Sequence, residues 1–115
     1  MVGLRKVLIL ARDEVVAALL GLLVELNGFE PYFVSEGESV SEAVVSGRHR
    51  AVIIDCDHAE CGDSLIEAIR RIGATPILFS PSRMEGELRN AAGRFGTSSF
   101  TLPTHPEKFG QLLQA

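Results

Sequence analysis

Five short apolar runs recur along the chain, each followed by a stretch with helical spacing. Residues 6–10, KVLIL, read as a buried strand that stops abruptly at charge. Residues 13–27 then predict a helix, with Asp13 and Glu14 favouring its positive N-terminal end and Asn27-Gly28 stopping it. EPYFV, residues 30–34, predicts a short strand whose Pro31 suits a sheet edge. A weaker helix covers residues 39–46 and ends at Gly47, and AVIID, residues 51–55, predicts a second buried strand closing on a carboxylate. Residues 63–72 carry Leu65, Ile66 and Ile69 on one helical face before Gly73. PILFS (76–80) predicts a strand, residues 83–92 a helix with an internal Gly86, residues 98–102 a strand and residues 106–113 a last helix.

Strand and helix therefore alternate five times with short connections. Parallel neighbours need crossover helices, so the alternation predicts an α/β domain: a parallel sheet covered on both faces. With 115 residues, no internal repeat and no linker-like segment, residues 1–115 read as a single domain.

Composition removes several function classes. The net charge of -4 and the absence of a basic stripe argue against nucleic-acid binding. The longest stretch without a polar side chain, residues 15–24, is far shorter than the ~20 residues a membrane span requires. Residues 1–6 carry basic side chains, but charges at Arg12, Asp13 and Glu14 follow too soon for a signal peptide. Two cysteines do not make a disulfide scaffold, and the expected setting is the cytoplasm with reduced thiols.

In an open α/β sheet, ligands bind beyond the carboxyl ends of the strands. Here those ends present Arg12 and Asp13, then Asp55 and Asp57, then Ser80 and Ser82, then Leu102-Pro103. AVIID, TPILFS and FTLPTHPEKF, taken in that order and spacing, resemble the receiver domain of bacterial response regulators over nearly the whole chain. The resemblance implies a flavodoxin-like (βα)5 fold with strand order 2-1-3-4-5. It puts Asp55 at the phosphoacceptor position and Ser80 at the switch hydroxyl, with Pro103 as the proline of a Lys-Pro pair. It also implies that the family's acid pair falls on Ala11 and Arg12, with Asp13 matching the acid that follows. The family's lysine is Leu102, its aromatic switch position reads Ser99, with Phe100 one place off, and His58-Ala59 and Asp63 replace the Met-Pro and Gly that follow the phosphoacceptor.

These departures compound. Phosphoryl transfer to a carboxylate needs a divalent cation held by hard oxygen ligands. A methyl group and a guanidinium at positions 11 and 12 remove ligands and add repulsion, and Leu102 removes the cation that would hold the transferred group. The expected pocket is therefore degenerate, with no cofactor. Arg12 is expected to pair with Asp55 or Asp57, standing where the metal ion would be. Two alternatives remain for this end of the sheet: Arg12 points to solvent, or Asp13 turns in and holds Mg²⁺ with Asp55 and Asp57.

DCDHAEC, residues 55–61, gathers Cys56, Asp57, His58, Glu60 and Cys61, and could form a metal or thiol sensor. Zinc sites pair such a motif with a distant second ligand pair, and none is visible. The Asp-x-His-x-x-Gly pattern of cobalamin domains and the glycine-rich nucleotide loops are also missing, and His58 has no identifiable nucleophile beside it, so no enzyme reading stands.

The first helix carries no polar side chain from Val15 to Val24, whereas a surface helix should show a polar face. Its expected inward stripe is Val15, Val16, Leu19, Leu20 and Leu23, leaving Ala18, Leu22 and Leu26 along one outward line. In receivers this helix docks histidine kinases and phosphotransfer proteins. The line thus predicts a protein partner, whether histidine kinase, phosphotransfer protein or downstream effector, or a homodimer. The other face that receivers use, the last two helices and the last strand, offers Arg83, Arg89, Arg94, His105 and Lys108, read as ordinary solvated chemistry. The expected function is a phosphorylation-independent protein–protein interaction module in bacterial signal transduction. The rivals are a Mg²⁺-dependent receiver phosphorylated on Asp55 by a histidine kinase, and the sensor loop from Cys56 to Cys61.

Overall fold

The computed structural model describes residues 5–102 and 104–114. Strands and helices alternate: β1 (Lys6–Leu10), α1 (Glu14–Leu26), β2 (Glu30–Phe33), α2 (Val40–Ser46), β3 (His49–Asp55), α3 (Asp63–Arg71), β4 (Thr75–Ser80), α4 (Glu85–Phe95), β5 (Ser98–Thr101) and α5 (Pro106–Gln114). All neighbouring strands pair in parallel, as the alternation predicts, and in the order β2-β1-β3-β4-β5 that the receiver resemblance implies.

Side chains alternate across a strand, so each strand feeds two separate apolar layers. Val7, Ile9, Ile53 and Phe79 pack with Leu20 and Val24 of α1 and with Phe109 and Leu113 of α5. Leu8, Leu10, Val52 and Ile54 face the other way, onto Val44 of α2, Ile66 and Ile69 of α3, and Leu88 of α4. β1, β3 and β4, covered on both faces, are almost wholly buried, and the edge strand β2 is largely exposed. Among the described residues no helix is long and apolar enough to cross a membrane.

Three features differ most from the sequence expectation. β3 begins at His49 rather than residue 51, because the imidazole packs inside and hydrogen-bonds the Ala43 carbonyl through Nε2 (3.0 Å). α4 starts two residues late and runs three residues further, to Phe95. The Ser80 hydroxyl holds residues 82 and 83 in a turn, and Gly96, at φ 67°, ends the helix in the left-handed region that suits glycine.

The third difference is the phase of α1. Val15 and Leu19, expected inside, are 78% and 45% exposed, while Leu20, Gly21, Leu23 and Val24 face inward. The close approach is made at Gly21, where a Cβ would stand 3.2 Å from the Phe33 ring and 3.7 Å from Pro31. The smallest side chain of the helix thus sets which face meets the sheet edge.

Candidate functional site

The carboxyl ends of β1, β3 and β4 bring four charged side chains together. Asp55 is the last residue of β3 and is 2% exposed. Its Oδ1 accepts a hydrogen bond from the Asp57 backbone N–H (2.9 Å), the local turn that short acidic side chains favour. Its Oδ2 accepts one from Arg12 Nε (3.1 Å), which arrives from the loop after β1. Arg12 Nη2 also lies 3.8 Å from Asp57 Oδ2. Asp57 in turn receives Arg83 from the β4–α4 loop, whose Nε stands 3.1 Å from Oδ1 and 3.3 Å from Oδ2. A guanidinium fork on a carboxylate is a strong, directional arrangement. This contact is the main reason that the Asp57 carboxyl is held below the ordinary aspartate range, with the charges of Arg83 and Arg12 adding to it against partial desolvation.

Ser80 organises the third loop through its backbone partners. Its buried Oγ accepts from the backbone N–H of Ser82 (3.2 Å) and of Arg83 (2.9 Å), which fixes the backbone that delivers Arg83. Arg83, which the sequence places on a solvated surface with Arg89 and Arg94, instead reaches Asp57. Its signal was the position three residues beyond a hydroxyl ending a strand. Arg89, by contrast, pairs with Glu85 one turn back along α4.

The other candidates sort themselves by geometry. Arg12 turns to the aspartates, not to solvent alone. Asp13 does not join them: its Oδ1 accepts from Val15 N–H (2.7 Å) and Val16 N–H (3.2 Å), capping α1. Ala11 is half-buried and lines, with His58, Phe33 and Val34, an open hollow of about 480 Å³ beside the arginine–aspartate group. Ser99 is half-buried, and Leu102 packs against the layer beneath α1 and α5. Phe100 is not at the surface; it stacks on Phe79 (5.7 Å) and meets Phe109 edge-on (5.2 Å) inside that layer. Pro103 lies outside the described residues. Ala18, Leu22 and Leu26 face outward as expected.

A magnesium site of the expected kind needs several carboxylate oxygens converging on one point. Among the described residues no three acidic, histidine or cysteine side chains do so. Asp13 caps a helix, and Asp55 and Asp57 already receive guanidinium groups. This donor set does not fit the ion. The sensor loop fares similarly. Cys56 and Cys61 are free and packed against the layer beneath α2–α4, and burial pushes both thiols up, Cys61 to about 11. Neutral thiols are poor nucleophiles and poor metal ligands.

Neither a known family model nor a curated protein sequence matches the chain. Solved structures do. The receiver domain of a sensor histidine kinase from Pseudomonas aeruginosa, which holds a magnesium ion in its active-site cleft, superposes with a TM-score of 0.74 at 17% identity, covering 97% of this chain and 96% of that one. A CheY-type chemotaxis protein of Vibrio cholerae gives 0.73 at 16% identity, covering 97% and 98%. The chain has the CheY-like receiver fold. A sensor protein from Polaromonas sp. JS666 also matches, with a TM-score of 0.70 at 26% identity over 95% of this chain and 92% of that one. Asp55 ends the third strand of that fold, and a guanidinium rests on it.

Proposed function

We propose that this receiver-fold chain is a protein–protein interaction module of bacterial signal transduction that works without phosphoryl transfer and is not an enzyme. The observation that carries the proposal is the hydrogen bond from Arg12 Nε to Asp55 Oδ2. An aspartate that accepts a phosphoryl group must present a free carboxylate oxygen, and a cation must neutralise the charge that builds on the phosphoryl oxygens. Both Asp55 oxygens are engaged here, one by Asp57 N–H and one by Arg12. Arg12 and Arg83 supply permanent positive charge where a receiver recruits a metal ion, so the three loops are tied in one arrangement with no ligand required. The partner of such a module is a histidine kinase, a phosphotransfer protein, a downstream effector or a second copy of the chain, met through the apolar outer face of α1 at Ala18, Leu22 and Leu26.

Intact-mass spectrometry after incubation with Mg²⁺ and acetyl phosphate tests the proposal, with Asp55→Asn as the control. The expected spectrum shows no phosphoryl adduct on either protein. An adduct present only when Asp55 is intact would overturn it.

A further inference from the structure

The outer face of α1 carries a continuous line of apolar side chains exposed to solvent. Val15, Leu19, Leu22 and Leu26 are 78%, 45%, 53% and 65% exposed, and Ala18 lies among them. A helix that is apolar all round belongs in an interior, not on a surface. The spacing of the four large residues is 4, 3 and 4, the a/d phase along which two helices interlock. That phase selects another helix as the cover, and it is complementary to itself.

Charge decides the direction of pairing. The acids Asp13 and Glu14 stand exposed at the N-terminal end of α1 and Glu25 near the other, and the helix carries no basic side chain. A parallel pair would set each acid beside its own copy. Arg12, beside Asp13, is turned to Asp55, and a second basic group lies at the C-terminal end, where the exposed Arg5 guanidinium hydrogen-bonds the Gly28 carbonyl. An antiparallel pair brings Asp13 and Glu14 of one copy to Arg5 of the other, twice, and sets Val15 against Leu26 and Leu19 against Leu22. We infer that α1 pairs antiparallel with α1 of a second copy of this chain about a two-fold axis between Leu19 and Leu22. The inference rests on the reading of this face as an interface and names its occupant. The seam is only about 16 Å long at 1.5 Å per residue, below the size of a permanent interface, so the dimer is a weak one.

Sedimentation velocity of the full chain up to about 0.5 mM, where weak interfaces of this size assemble, tests it. The expected result is a concentration-dependent dimer that Leu22→Glu abolishes, with an unchanged circular-dichroism spectrum. Arg5→Glu and Glu14→Arg should each raise Kd about threefold or more, as lost surface ion pairs do, and the double variant should recover the dimer. Mixing Val15→Cys and Leu26→Cys chains should give the mixed disulfide. A monomer at every concentration, a dimer indifferent to Leu22→Glu, or Val15→Cys chains bonding preferentially to themselves would each overturn the inference. The phosphoryl proposal fails separately: an adduct on Asp55 leaves this dimer standing, and a monomeric chain leaves Arg12 on Asp55.

Discussion

Replacing Arg12 with methionine removes one guanidinium and leaves the rest of the strand-end group in place. Asp55, 2% exposed in the parent, would keep only the Asp57 N–H as a described donor. Breaking a fully buried ion pair costs about 3–5 kcal/mol, because the surviving charge has no compensation. A fully exposed pair contributes about 0–1 kcal/mol. The Arg12 side chain is 51% exposed, so water screens half of this pair and can enter where the guanidinium was. The expected loss is therefore about 2 kcal/mol, intermediate between the two limits. Urea unfolding followed by circular dichroism should show a midpoint lower by roughly 1 M with an unchanged slope, since the surface exposed on unfolding is the same. Asp55→Leu in the Arg12→Met background should recover much of that loss, because the stranded charge goes with its partner. An Arg12→Met protein within about 0.5 kcal/mol of the parent, or strictly additive losses in the double variant, would refute the claim that the guanidinium compensates Asp55.

Three further outcomes follow from the same geometry. Arg83→Gln should raise the Asp57 pKa towards the ordinary aspartate value, read by carboxyl NMR titration. Because the folded-state pKa is the depressed one, the Arg83 contribution is present above the unfolded-chain value near 3.8 and fades as pH falls through the lower folded value. Ser80→Ala should cost about 1–2 kcal/mol in urea unfolding, since the N–H groups of Ser82 and Arg83 lose their shared acceptor, and a Ser80→Ala protein as stable as the parent would remove that role. Cys61, with its thiol pushed to about 11, should react with a disulfide reagent at pH 8 about 100-fold more slowly than a free cysteine, in proportion to its thiolate fraction. A rate equal to that of the unfolded chain would contradict its burial.

What was legible in the sequence was what short-range patterning encodes. Aliphatic runs of strand length followed by helical spacing gave the five alternating units, because period 2 and period 3.6 are written over a few residues. Asp13 was readable as belonging to the start of α1, since capping is a contact between near neighbours. The meeting of Arg12 and Asp55, 43 residues apart, was also foreseeable, because parallel strands deliver their carboxyl ends to one edge of the sheet.

The tertiary structure alone decided the rest. Its place three residues beyond Ser80 puts Arg83 in the β4–α4 loop, but that spacing alone does not fork it onto Asp57. The side-by-side packing of β3 and β4 brings the two loops together, and the Ser80 turn aims the side chain. Likewise, α1 has no polar stripe to fix its rotation, so its inward face could not be read from hydropathy. The contact of Gly21 with Phe33 and Pro31 fixes it, turning Val15 and Leu19 outward to complete the apolar seam. Periodicity settles a helix's existence, but when every position is apolar only the shape of the neighbouring surface settles which way it faces.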